Sequence, residues 1–115
     1  MATYYWTGDQ SPSIGVAANY SSTQDGSSPL SSLPTSADII EEATYMSEDP
    51  ATGTSNAGYW NIPNTSIYGG TYNGVIISCY AIYDGTYYDD VVSVTTDVNG
   101  GTFNGHVAGA SSTGG

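Results

Sequence analysis

Eleven carboxylates, one imidazole, one thiol and no cationic side chain make up the ionisable chemistry of this 115-residue sequence, its tyrosines aside. Hard cations take several oxygen ligands, and Asp84, Asp89, Asp90 and Asp97 fall beside turn signals, so calcium is the metal for which the sequence offers ligands. Their spacing matches neither an EF-hand nor the Gly-Gly-x-Gly-x-Asp calcium repeat, and solvated turn carboxylates are the competing reading. Further carboxylate pairs occur at Glu41-Glu42 and Glu48-Asp49. Adjacent residues of a strand point to opposite faces, so a hydrolytic pair would have to be assembled from separate segments. His106 is accompanied by no nucleophile-elbow motif, and one His with one Cys cannot complete a zinc site unless subunits share it. Cys79, within "VIISCYAIY", reads as a small buried hydrophobe, with an intermolecular disulfide as the alternative. The expectation is a protein that is not an enzyme and needs no cofactor beyond that calcium.

The absence of Lys and Arg, with a formal net charge of −11, excludes whole classes of partner. Without cations the chain cannot neutralise phosphates or dock on an anionic bilayer, and it has no apolar run long enough to span a membrane. Aromatic residues are the more informative group. Eleven tyrosines, two tryptophans and one phenylalanine look too many for the interior of a slim fold. Trp6, Trp60, Tyr72, Tyr87, Tyr88 and Phe103 are therefore expected as interface or sugar-stacking residues, with packing between repeats as the competing reading. Asn19-Tyr20-Ser21 and Asn64-Thr65-Ser66 are glycosylation sequons.

What would position these groups is visible in three related stretches, "GGTYNGVI" (69–76), "DGTYYDDVV" (84–92) and "GGTFNGHV" (100–107). Thr71-Tyr72, Thr86-Tyr87 and Thr102-Phe103 recur at intervals of 15 and 16 residues, each followed by two small or polar residues and then a β-branched run. A period this short, with no helix inside it, is the mark of a β-solenoid in which each repeat makes one coil and stacks on the next. Glycines supply corners with positive φ, Thr and the aromatic ring stack on their counterparts, and Val and Ile fill the interior. An antiparallel β-sandwich is the alternative arrangement of the same strands. Residues 58–115 are read as the coils and residues 1–57 as an N-terminal cap or first coil with Ser- and Pro-rich loops, in one structural domain. Within 36–46 helix and strand compete: Thr35 and Asp38 resemble a capping box, Ile39, Ile40, Ala43 and Met46 have helical spacing, and "DII" and "ATYM" would serve as short strands.

Read in order, "YYWTGD", "AANYSS", "PTSADII" and the Gly-Gly-Thr-aromatic rungs resemble repeat modules of large bacterial surface proteins, among them autotransporter-like adhesins, and of phage or giant-virus fibre proteins. Tyr20 stands where such modules usually carry Trp, and residues 47–66 fit no part of their pattern. The resemblance implies a structural or adhesive β-helical module with no catalytic residues to carry over. On it rest the expectations of an extracellular or cell-surface location, or a virion, and of a homo-oligomer or filament built through the solenoid ends. A fibre component or a carbohydrate-binding module, with glycans as partners, is the alternative.

Overall fold

The computed structural model describes residues 2–108 and is a short β-solenoid. Eleven strands lie in two sheets. β1 (Thr3–Trp6), β3 (Ile39–Glu42), β5 (Tyr59–Ile67), β7 (Val75–Ile82), β9 (Val91–Val92) and β11 (Val107–Ala108) stack in parallel along one side, with β2 (Tyr20–Ser21) added antiparallel beyond β1. β4 (Thr54–Ser55), β6 (Thr71–Tyr72), β8 (Thr86–Tyr87) and β10 (Thr102–Phe103) form the second, wholly parallel sheet. The expected repeat is thus a physical coil: Thr71 pairs with Thr86 and Thr86 with Thr102, each on the adjacent strand.

The interior is a set of columns that run from coil to coil. Ile40, Trp60, Ile76 and Val91 occupy one, Ile62, Cys79 and Val94 a second, and Ile67, Ile82 and Val98 a third, all buried. β-branched side chains suit these positions because the same shape must meet itself one strand spacing away. Cys79 therefore sits between an Ile and a Val as a small hydrophobe, and burial pushes its thiol up to about 12.

On the second sheet the interior column is aromatic. Tyr72, Tyr87 and Phe103 stack face to face, with ring centroids 5.1 and 4.9 Å apart and planes within 3° and 8° of parallel. Each tyrosine curls back so that its hydroxyl donates to the carbonyl three residues earlier, Tyr72 to Gly69 at 3.0 Å and Tyr87 to Asp84 at 2.7 Å. The corner before each Thr is a glycine with positive φ: Gly53, Gly70, Gly85 and Gly101.

The parallel stacking already starts at β1, so the coils begin well before Gly58, and the first coil carries a long excursion. β4 is a further rung, "GTSNAG", whose Thr54 extends the threonine column but which has Ser55 where later rungs have a ring. Trp60 reaches across to that place, edge-on to Tyr72 at 5.5 Å, with its indole N–H donating to Ser55 Oγ at 3.1 Å. The excursion returns Tyr20 against Trp6 and Trp60 and closes the N-terminal end of the core. Within 36–46 one strand forms, β3, which takes in Glu41 and Glu42, while "ATYM" forms none. Half of the Thr35–Asp38 box is present: the Thr35 N–H donates to Asp38 Oδ2 at 2.8 Å, but the Asp38 N–H goes to the Thr35 carbonyl at 2.9 Å rather than to its hydroxyl, and the pair closes a turn that leads into β3. Parallel pairing with β1 and β5 on both edges of β3 outweighs the marginal gain of a two-turn helix.

Candidate functional site

Four of the six aromatics expected at an interface are core residues. Trp6, Trp60, Tyr72 and Tyr87 have no exposed surface: the two tyrosines stack face to face along the axis, and the two tryptophans pack tilted against one another at 6.0 Å, with Trp60 edge-on to Tyr72, so all four fit a narrow fold. Phe103 is half-buried at the last ring of that column, and Tyr88 alone is well exposed, at 56 %. The aromatic surface instead comes from residues absent from that set. Tyr68 and Tyr83 stack on one another on the outside of the solenoid, centroids 4.8 Å apart and planes 7° from parallel, both close to half exposed. Their sequence signal is a shared place, one residue after the interior Ile67 and Ile82 and just before the Gly corner.

Two grooves run across the coils. The larger, about 720 Å³, lies between Leu33 and Pro34 of the excursion and the corner at Gly58 and Gly74, with Tyr59 and Asp89 at its sides. Its lining includes Asn56 and Asn73, one rung apart, with the Asn73 side-chain amide donating to Asn56 Oδ1 at 2.7 Å. The smaller groove, about 360 Å³, follows the threonine column and is lined by Thr71, Thr86 and Thr102 with Tyr68 and Asp84 beside them. Among the described residues, none of these three hydroxyls is engaged by a side chain or by the backbone.

The aspartates expected to hold calcium do not converge. Asp84 Oδ1 accepts from the Gly85 N–H at 2.8 Å and Asp89 Oδ1 from the Asp90 N–H at 2.8 Å, each within its own corner, while Asp90 Oδ1 accepts from the His106 N–H of the next coil at 3.0 Å. Asp97 contributes its carbonyl to the Ile82 N–H at 2.9 Å. Among the described residues no three His, Cys, Asp or Glu side chains come together as a ligand group. Corner carboxylates recur along the axis, but adjacent corners hold them to the backbone rather than to a common centre.

Elsewhere the polar groups are committed to structure. Glu42 accepts the Asn64 N–H at 2.8 Å, the Asn64 side-chain amide at 3.1 Å and the Thr65 hydroxyl at 2.6 Å, which anchors the irregular middle of β5. Asp49 is held above the usual carboxylate range by partial burial and by the charge of Glu42. Of the two sequons, Asn19 is wholly buried, its side chain bonded to Gln10, Ser11 and Ser13, whereas Asn64 is exposed. No buried side-chain nitrogen or oxygen among the described residues lacks a partner, and none of their helices is long and apolar enough to cross a membrane.

The two ends of the stack differ. At the N-terminal end β2 covers β1, and the excursion continues past it through the antiparallel bridge of Ser21 to Pro29. At the other end β10 and β11 carry edges with which no described residue pairs, and Phe103 and Val107 border that face partly exposed. The terminal "VAGASSTGG" expected to leave this end uncapped lies, from Gly109, outside the described residues. The chain matches no protein-family model, no curated protein and no solved structure.

Proposed function

We propose that the chain is a non-catalytic structural module of a cell-surface filament or adhesin, closed at its N-terminal end and enlarged by pairing with a second copy at its C-terminal face. The observation that carries this reading is the contrast between the ends: β2 and the excursion cover one, while at the other β10, β11 and the Phe103 ring present strand edges and an aromatic surface, in the geometry of a further coil, that no described residue pairs with. Unpaired edges of this kind accept strands from other chains. With one end covered, the available contact joins C-terminal faces, so longer fibres require those paired units to associate further. The acidic, Lys- and Arg-free composition and the resemblance to surface-protein modules support the location.

Light scattering and negative-stain electron microscopy of the purified chain test it. The expected result is concentration-dependent assembly into pairs or fibres that Val107→Lys abolishes, since Lys on an edge strand blocks pairing and Val107 is 41 % exposed, so the fold tolerates the charge. A wild-type chain that stays monomeric at its highest soluble concentration removes the proposal, and an assembly indifferent to Val107→Lys moves it away from this face.

A further inference from the structure

We infer that the groove along the threonine column is a binding site for a neutral polysaccharide, with the Tyr68 ring as its stacking platform. This inference does not rest on assembly at the C-terminal face. Two features converge on it. Tyr68, one face stacked on Tyr83 and 49 % exposed overall, leaves the remainder of its ring open at the groove's edge. Sugar rings have apolar C–H faces that pack on such surfaces, and a phenol adds a polar handle. Beside it, Thr71, Thr86 and Thr102 present uncommitted hydroxyls at a repeat of about one strand spacing, roughly 4.8 Å. Each hydroxyl both donates and accepts, which suits a ligand made of repeated hydroxyls.

Charge narrows the class. Asp84 borders the groove and the whole chain carries no cation, so uronates, sialylated chains and phosphates are repelled. Basic polypeptides would be steered toward the acidic surface as a whole, but this groove concentrates hydroxyls and glycines around a single carboxylate. The larger groove lacks a repeated column of hydroxyls and a stacked ring pair in its lining.

Affinity electrophoresis followed by calorimetry on the full chain decides the matter, with dextran, a soluble mixed-linkage β-glucan and a galactomannan as neutral probes, polygalacturonate as the acidic one and polylysine as the basic one. At least one neutral polymer is expected to bind, without loss on added salt, while polygalacturonate does not. Tyr68→Ala should weaken that binding about tenfold. Thr86→Val, which keeps the side-chain shape and serves as the variant least able to disturb folding, should weaken it several-fold, and Tyr45→Ala, at an exposed ring outside the groove, should leave it unchanged. The inference fails if none of the neutral probes binds, if binding survives both groove substitutions, or if polylysine alone binds and is released by salt.

Discussion

At Gly85 the backbone has φ +121°, and a Cβ there would stand 2.7 Å from the Tyr87 hydroxyl and 3.1 Å from the Gly70 carbonyl. Both the left-handed backbone and the space are reserved for glycine. Gly85→Ala is expected to cost about 2–3 kcal/mol, the sum of backbone strain and displacement of the Tyr87 hydrogen bond, measured as a shift of the urea midpoint at unchanged slope. Cys79 yields a second expectation at this scale. Buried, and with its thiol pushed up to about 12, it should resist Ellman's reagent at pH 8 in the native protein and react stoichiometrically in denaturant. Fast native labelling would mean that the column between Ile62 and Val94 opens readily. The corner glycines and the buried thiol were both legible in the sequence, the first from their place before each Thr and the second from its apolar flanks. The direction in which each aromatic points was not, because a two-residue strand between Gly corners is too short to show which of its faces is inward. Tyr68 and Tyr72 lie four residues apart, one outside and one inside, and only the turn between them decides which is which.

Among the elements, the aromatic column has one imperfect member. Tyr72 and Tyr87 each tie their hydroxyl to the carbonyl three positions back, but Phe103, stacked in the same geometry, has no hydroxyl to offer Gly100. Phe103→Tyr should therefore add a hydrogen bond and stabilise the last rung by about 0.5–1 kcal/mol, seen as a higher melting temperature. A loss of stability would show that this rung is not built like its predecessors. The same column explains which elements escaped the sequence. β4 repeats Gly-Thr-x-Asn as faithfully as β6, but Ser55 replaces the ring that made the other copies conspicuous, and its space is filled by Trp60 from the facing sheet. That exchange is tertiary and leaves no mark at position 55 itself. β3 was ambiguous for another reason: the Thr35–Asp38 hydrogen bonds that begin a helix also close a turn, and only the strands on either side settle the outcome.

For the molecule as a whole, a net charge of −11 acts on stability with no Lys or Arg side chain to offset it. Folding brings those carboxylates closer, so added salt should raise the melting temperature by screening a repulsion that no Lys or Arg ion pair opposes. Lowering the pH from 7 toward 5 should act in the same direction. Asp49 adds to it: raised by burial and by Glu42, it binds its proton more readily folded than unfolded, a contribution that is present at low pH and lost as pH rises through its folded value. Asp38 has the opposite sign. The Thr35 backbone N–H holds it below the usual range, so its stabilisation is present above about pH 4 and lost as pH falls through its folded value. Calorimetric scans should accordingly pass through a maximum near pH 5, and a steady decline from pH 7 downward would contradict this balance. The coil architecture has one more consequence, for how such a chain changes length. Because β6, β8 and β10 interlock through identical Gly, Thr and ring positions, and each touches only the rung before and after it, the unit that can be copied is a whole coil. A tandem duplication of residues 86–101 would enter the stack as one more layer of about 4.8 Å, rewriting neither the covered end nor the open one. Changes of one or two residues are absorbed within a coil, as the spacings of 17, 15 and 16 residues between successive paired threonines show, so descendants of this sequence should gain or lose height only by steps of one coil.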